Sequence, residues 1–134
     1  MSNLQIVQDA YGKFAVGDIP GLIGLLSNDV HWQVPEIENA KFGGKHHGHA
    51  GVGAFFGALV ADENITVFEP QEFICEGDKV VALGKSASTV HSTGKSYETD
   101  WVHIFTVNDG KITKFHEFFD NAAATRAFQK TATA

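Results

Sequence analysis

The second half of the chain contains four segments with the composition of β-strands, separated by three short turns that each contain glycine. The segments span residues 65–75, 79–91, 96–107 and 111–119, and the turns are Glu76-Gly77-Asp78, Thr93-Gly94-Lys95 and Asn108-Asp109-Gly110. Turns this short cannot hold a crossover, so successive strands must pair antiparallel. The Asp-Gly pair in the last turn is a strong hairpin signal. The pattern therefore predicts an antiparallel meander.

The first half has the apolar periodicity of helices. A capping box at Ser2 and Gln5 precedes a stripe formed by Leu4, Val7, Tyr11 and Phe14. Gly17 suits the end of this helix and Asp18 the start of a second, whose stripe is Ile19, Leu22, Ile23 and Leu26. We expect a short strand at 30–34, a long loop at 35–51, a third helix at 50–61 and a closing helix at 121–129. Helices before a meander predict an α+β fold, with helices on one face of a curved sheet in a single domain, residues 1–134.

Charge and composition exclude several kinds of partner. The 10 basic and 16 acidic residues give a net charge of −6, and Arg126 is the only arginine. Phosphate recognition favours arginine forks and basic patches, so we expect no nucleic-acid partner. No run approaches the roughly 18 apolar residues that span a bilayer, and no glycine-rich phosphate loop indicates a nucleotide cofactor. With a single cysteine and no signal-peptide pattern, we expect a cytoplasmic protein without disulfides, cofactor or membrane contact.

The order of the elements, with the closing segment FTVNDGKITKFHEFFDNAA, resembles the nuclear transport factor two-like superfamily. The matching pieces are Gly17-Asp18, Asn28-Asp29-Val30, Phe42-Gly43, Gly48, Asp109-Gly110-Lys111-Ile112 and Phe118-Phe119-Asp120. The likeness covers nearly the whole chain and is closest to the branch of SnoaL-like polyketide cyclases and ketosteroid isomerases. It implies a cone-shaped half-barrel, with N-terminal helices on the concave face of a mainly antiparallel sheet. It also implies a deep apolar pocket and frequent dimerisation.

The outer face of such a sheet must be solvated or paired. Apolar residues for a paired face are Ile65, Val67, Val81, Leu83, Val102 and Ile104. We therefore expect a homodimer that forms through the sheet.

Alternation along residues 96–107 places Trp101, His103 and Phe105 on one face, which we expect to line the pocket. An imidazole in an apolar, concave space is a common acid–base group. We therefore take His103 as a candidate catalytic residue, with Trp101 and Phe105 as pocket walls. The alternative is a buried histidine satisfied by a neighbouring backbone group or hydroxyl.

The face of the last strand is ambiguous, because both sets of alternating residues contain large apolar groups. One set holds His116, Phe118 and Asp120, and the other holds Phe115, Glu117 and Phe119. The resemblance favours the first set, since SnoaL-like cyclases are expected to use an aspartate at Asp120 as general acid or base. On that interpretation His116 and Phe118 also contact substrate. The alternative makes Asp120 the N-cap of the closing helix.

The likeness to ketosteroid isomerase is incomplete. The position of that enzyme's general base is Val34, before Pro35, so only Glu36 beyond the proline offers a carboxylate there. The oxyanion tyrosine of ketosteroid isomerase falls near Ala10, with Tyr11 one position away, and the protonated aspartate of its oxyanion hole corresponds to His103. We expect Tyr11, Glu36 and Trp32 to contact substrate.

Two other kinds of site receive less support. Epoxide hydrolysis in this superfamily is expected to need an aspartate–arginine–aspartate set, and Arg126 lies in the closing helix. His46, His47 and His49 are close enough in sequence to ligate a divalent metal, with a solvated loop as the alternative; we expect no metal. Cys75 is expected to be a packed thiol.

These observations predict a pocket protein for a small apolar carbonyl compound. The leading hypothesis is a cofactor-free isomerase, cyclase or dehydratase that moves a proton with His103 and Asp120. The alternative is a ligand-binding or dimeric scaffold module of the same fold without turnover.

Overall fold

Six strands form one curved, unclosed sheet, and helices pack against its concave face. The computed structural model describes residues 2–130. In chain order the elements are α1 (Asn3–Ala15), α2 (Ile19–Ile23), β1 (Leu26–Val34), β2 (Gly44–His47), α3 (Gly48–Asp62), β3 (Glu63–Glu76), β4 (Lys79–Val90), β5 (Ser96–Asn108), β6 (Lys111–Phe119) and α4 (Asn121–Phe128). The strand order is β2-β1-β6-β5-β4-β3, in which β1 and β6 are parallel and every other pair is antiparallel. The expected α+β class is confirmed.

The meander forms as predicted, and its last turn shows why. Asp109 and Gly110 have φ angles of 52° and 77° between β5 and β6. Positive φ at both central residues is the requirement of a type I′ turn, whose twist matches that of the strands it joins.

Among the helix signals, the capping box of α1 at Ser2 and Gln5 is present, and Asp18 caps α2 by accepting a hydrogen bond from the Gly21 amide.

The predicted boundaries between residues 24 and 51 are wrong in two places. Leu26, predicted as part of the second helix, instead begins the first strand, which was expected at residue 30, and α2 already ends at Ile23. The reason is that Leu26 pairs with Ile112 of β6 and is 2% exposed. The expected loop at 35–51 contains β2, which forms an antiparallel pair with β1. Both changes come from backbone pairing with distant or glycine-rich segments, and local periodicity carries no signal for such pairing.

The loop between β1 and β2 is fixed by a buried carboxylate. The Asp62 side chain, at the end of α3, accepts hydrogen bonds from the backbone amides of Lys41 and Phe42 at 2.6 and 3.0 Å. Phe42 is 2% exposed and packs edge-on against Phe128 of α4. The loop and the closing helix therefore seal one end of the space between the helices and the sheet.

The expectations that Ile65 faces outward and that Cys75 is packed are both wrong. A β-bulge between Ile65 and Val67 turns Ile65 into the concave face, so Ile65 does not belong to the outer apolar face. Cys75 is exposed, not packed, and lies near the end of the edge strand β3. None of the helices within residues 2–130 is both long and apolar enough to cross a membrane.

Gly84 of β4 allows Trp101 of β5 to lie flat against the sheet. A Cβ at residue 84 would overlap Trp101 Cζ2 and the Glu69 carbonyl oxygen. We expect Gly84→Ala to lower the free energy of unfolding by about 1–3 kcal/mol, measured by urea denaturation. The control is Gly57→Ala in α3, where a Cβ has no neighbour within 4 Å. This change should stabilise the protein by up to about 1 kcal/mol, because alanine favours helix. Equal stability of Gly84→Ala and wild type would contradict the packing argument.

Candidate active site

A cavity of about 100 Å³ lies between the concave face of the sheet and helices α1 and α3. Its wall is mostly aromatic, and prominent members are Phe14, Trp32, Phe56, Phe68, Trp101 and Phe105. No lysine or arginine among the described residues lines it, whereas two carboxylates, Glu63 and Glu117, do. The cavity is therefore apolar with acidic groups in its wall, which is the usual character of a small-molecule site with few oriented polar groups.

A continuous chain of hydrogen bonds crosses this wall from Tyr11 through His103 to Glu117. The Tyr11 hydroxyl lies 2.7 Å from His103 Nδ1, and His103 Nε2 lies 2.7 Å from Glu117 Oε2. The His103 ring also stacks on Trp101, with ring centroids 4.0 Å apart. His103 therefore occupies the predicted place among aromatics, with a phenol on one nitrogen and a carboxylate on the other.

The protonation pattern of the chain follows from donor and acceptor chemistry. An ionised Glu117 can only accept, so Nε2–H of His103 donates to it. In the neutral imidazole Nδ1 then accepts, and the Tyr11 hydroxyl donates to it. Burial, helped by the negative charge of Glu117, raises the pKa of Tyr11, which keeps this phenol protonated. Both histidine nitrogens are thus occupied by protein groups.

The side chains differ in their access to the cavity. The Glu117 side chain is 18% exposed and that of His103 only 5%. Since both nitrogens of His103 have protein partners, Glu117 and Tyr11 are the groups that can contact a bound molecule. His103 holds them in place.

A one-residue bulge brings Glu117 opposite His103. From the turn, Asn108 pairs with Lys111 and Val107 with Ile112, a register that would place His116 opposite His103. Thr113 is skipped, Thr106 pairs with Lys114, and His103 therefore pairs with Glu117. The bulge turns Phe115, Glu117 and Phe119 into the cavity. In the sequence pattern, Glu117 belongs to the alternative face of the last strand. The bulge turns this face into the cavity and brings Glu117 to His103.

The expectation that Asp120 faces the cavity is wrong. Asp120 is exposed and absent from the cavity wall, and its carboxylate accepts from the Ala123 amide at 3.0 Å. It is the N-cap of α4, the alternative that its place before Asn121-Ala122 indicated. The carboxylate beside His103 belongs to Glu117.

Three predicted substrate contacts also lie outside the cavity wall. His116 and Phe118 are on the convex face, where their ring centroids are 4.2 Å apart and Phe118 is 46% exposed. The bulge in β6 is the reason, because it exchanges the two faces of the strand. Glu36 is exposed in the loop after β1 and does not reach the cavity.

Four predicted contacts do line the cavity: Tyr11, Trp32, Trp101 and Phe105. Trp32 and Trp101 are 5% and 2% exposed, yet the indole N–H of each has no hydrogen-bond partner among the described residues. Buried donors without partners are rare in proteins, and each is a place where an added acceptor is favourable.

A second polar pair, not anticipated from sequence, lines the same cavity. The Tyr97 hydroxyl donates to Glu63 Oε2 at 2.7 Å, and Glu63 is 7% exposed at the start of β3. Burial raises the pKa of Glu63 above its ordinary value, although hydrogen bonds from Tyr97 and Ser88 oppose the shift. Glu63 was missed because it follows a helix directly, with no alternation to show its face.

The histidine-rich segment has structural contacts. His46 Nε2 lies 2.8 Å from the Phe42 carbonyl oxygen, and His49 Nε2 lies 2.9 Å from that of Leu26. His47 is exposed, and its ring is tilted against that of His31 across the β1–β2 pair, with ring centroids 4.9 Å apart. Within residues 2–130 no group of three or more histidine, cysteine or acidic side chains is placed to hold a metal ion.

A half-open sheet in this strand order, with helices closing an apolar cavity, defines a protein of the nuclear transport factor two-like (NTF2-like) class. Residues 7–115 match the model of the SnoaL-like domain, and the chain belongs to that family. The resemblance inferred from the sequence is therefore confirmed. No curated protein matches this sequence.

Solved structures agree with this assignment over nearly the whole chain. An NTF2-like protein from Burkholderia xenovorans is 34% identical, with 95% of each chain covered and a TM-score of 0.85. An NTF2-like protein of unknown function from Burkholderia pseudomallei is 32% identical, with 96% of this chain and 99% of that chain covered and a TM-score of 0.88. TerC, co-crystallised with polyporic acid, is 31% identical, with 94% and 97% covered and a TM-score of 0.85.

The raised pKa of Glu63 predicts a specific pH dependence of stability. The folded state holds the Glu63 proton more tightly than the unfolded chain, whose pKa is near the ordinary value of 4.5. Its contribution is therefore present at lower pH and is lost as the pH rises through the raised folded-state pKa. We expect Glu63→Gln to become progressively more stable relative to wild type as the pH rises above about 4.5, measured by urea unfolding. Glu98→Gln, at an exposed position, should track wild type. A pH-independent difference between Glu63→Gln and wild type would contradict the assignment.

Proposed function

We propose that this protein binds a small apolar carbonyl compound and moves a proton on it without a cofactor, as an isomerase, cyclase or dehydratase. The single observation that carries the proposal is the hydrogen-bonded chain of Tyr11, His103 and Glu117 in the wall of an apolar cavity. A carboxylate oriented by an imidazole and next to a neutral phenol is a workable acid–base device. Its carboxylate is Glu117 rather than Asp120.

In the proposed step Glu117 takes a proton from the carbon next to the carbonyl group. The electron pair of that C–H bond moves toward the carbonyl oxygen, which becomes an enolate oxygen. The Tyr11 hydroxyl, kept protonated by its raised pKa, exchanges its hydrogen bond to His103 Nδ1 for one that it donates to this oxygen. Protonated Glu117 then returns the proton, to the same carbon or to another one. His103 holds the Glu117 carboxylate throughout.

The family supports the proposal at a coarser level. SnoaL-like proteins include cyclases and isomerases. TerC, which is 31% identical to this chain, was co-crystallised with polyporic acid, so a small molecule is associated with a protein of similar sequence. The alternative function is a binding module without turnover, which needs the cavity but not the proton transfer. The proposed location remains the cytoplasm.

The outer face of the sheet supports the proposal of a homodimer. Cross-strand pairing aligns Ile74, Val81, Ile104 and His116 in one row, and Leu83, Val102 and Phe118 in the next. Phe118 and Ile74 are 46% and 52% exposed. A contiguous apolar face of this kind is typical of an interaction surface. A second copy of the chain is the proposed partner, since one face pairs with itself in a two-fold dimer.

Deuterium exchange tests the chemistry without knowledge of the natural substrate. We expect the protein to accelerate incorporation of deuterium next to the carbonyl of 2-tetralone in D₂O, followed by ¹H NMR. Glu117→Gln should lower the protein-dependent rate at least ~100-fold, because it removes the base. Asp120→Asn is the matched control and should retain the wild-type rate, since asparagine also caps helices. Equal rates for Glu117→Gln and wild type, with ligand bound to both, would leave the binding module as the function.

Sedimentation velocity tests the dimer. We expect wild type to sediment at twice the chain mass of 14.5 kDa, and Phe118→Glu to sediment as a monomer because it buries a charge in the interface. Val60→Glu, on α3, introduces the same charge at a residue that is 71% exposed and should remain dimeric. A monomeric wild type would contradict the proposal.

A further inference from the structure

The proposed proton transfer leaves one polar pair of the cavity unused. Glu63 and Tyr97 both line the cavity and form a 2.7 Å hydrogen bond through Glu63 Oε2. Ser88, 3% exposed, lies in the same part of the wall. Tyr97 and Ser88 both hydrogen-bond to the Glu63 carboxylate. An ionised carboxylate offers about four acceptor sites, so that of Glu63 can accept a further hydrogen bond.

This pair lies at a different place along the cavity from the proton-transfer groups. Tyr97 and His103 are both on the concave face of β5, with Thr99 and Trp101 between them. The wall between the two polar groups is aromatic. Both polar groups nevertheless line the same cavity. A ligand that fills the cavity therefore meets both polar groups.

The charge of the wall restricts the ligand further. Two carboxylates and no described lysine or arginine line the cavity. An anion would be desolvated beside like charges without a counter-ion, so carboxylate and phosphate ligands are disfavoured. The unpartnered indole N–H groups of Trp32 and Trp101, both more than nine-tenths buried, in turn require acceptor oxygens.

We propose that Glu63 and Tyr97 form a second ligand-binding subsite, which accepts a hydrogen bond from a hydroxyl group of a neutral cyclic ligand. The carbonyl end of that ligand meets Tyr11 and Glu117, and the oxygens of the ligand take the free indole N–H groups. The substrate class is a neutral, hydroxylated cyclic ketone. This inference rests on the proposed small-molecule function for its carbonyl end, but not on catalysis.

Three probes that differ at one position test the subsite: 2-tetralone, 6-hydroxy-2-tetralone and 6-carboxy-2-tetralone. Dissociation constants come from ¹H–¹⁵N NMR titration. The chain has two tryptophans, so two indole N–H signals report directly on the cavity. We expect the hydroxyl group to tighten binding about tenfold and the carboxylate to weaken it by a similar factor. Both indole signals should shift with the hydroxylated probe.

Variants at residue 63 connect the preference to the subsite. Glu63→Leu should abolish the hydroxyl preference, because leucine cannot accept a hydrogen bond. Glu63→Gln should retain part of it and should bind the carboxylate probe more tightly than wild type does, because one negative charge is removed. Glu98→Leu, at an exposed position, is the control and should keep the wild-type preferences. The dispersion of the NMR spectrum checks that each variant is folded, and Glu63→Gln carries the test if Glu63→Leu is not.

The outcomes separate this inference from the proposed chemistry. Two results would overturn the subsite, even if the protein exchanges deuterium into 2-tetralone. One is equal affinity for the three probes, and the other is an undiminished preference for the hydroxylated probe in Glu63→Leu. A carboxylate probe that gains nothing from Glu63→Gln overturns the charge argument and with it the assignment of a neutral ligand. A Glu63-dependent hydroxyl preference without any deuterium exchange supports the subsite and rejects the proton transfer.

Discussion

The register between β5 and β6 is the constraint on which the site depends. Thr113 is skipped in the register between the two strands, and this one extra residue shifts the pairing so that His103 lies opposite Glu117 instead of His116. Because side chains alternate along a strand, a slip of one residue exchanges its two faces. Without the bulge, the aromatic and acidic residues of β6 would face outward and the cavity would lose its carboxylate beside His103.

Once Glu117 is turned inward, burial forces it into a network. A carboxylate in an apolar wall must be hydrogen-bonded, and His103 satisfies it while Tyr11 satisfies the other imidazole nitrogen. The same reasoning applies to Glu63 with Tyr97. The cavity therefore contains two satisfied carboxylates and two unsatisfied indole donors, from Trp32 and Trp101. That inventory of acceptors and donors, rather than the fold, is what restricts the chemistry of a ligand.

Much of the architecture was predictable because its signals are local. Short glycine turns required antiparallel pairing, the capping box at Ser2 and Gln5 marked the first helix, and alternation placed His103 in the cavity. The partner of His103 was not predictable in the same way. Asp120 and Glu117 are both near the end of one strand, and the choice between them depends on a bulge that leaves no periodic signal in a strand with apolar residues on both faces.

The sequence by itself determined the class of fold, the meander, the candidate histidine and the family, because turn chemistry and hydrophobic alternation act over a few residues. The tertiary structure decided which carboxylate meets that histidine, that Asp120 caps α4, and that Glu63 and Tyr97 share the cavity with them. These relations join α1, β3, β5 and β6. They follow from strand register and from the need of buried polar groups for partners, which no single stretch of the chain can specify.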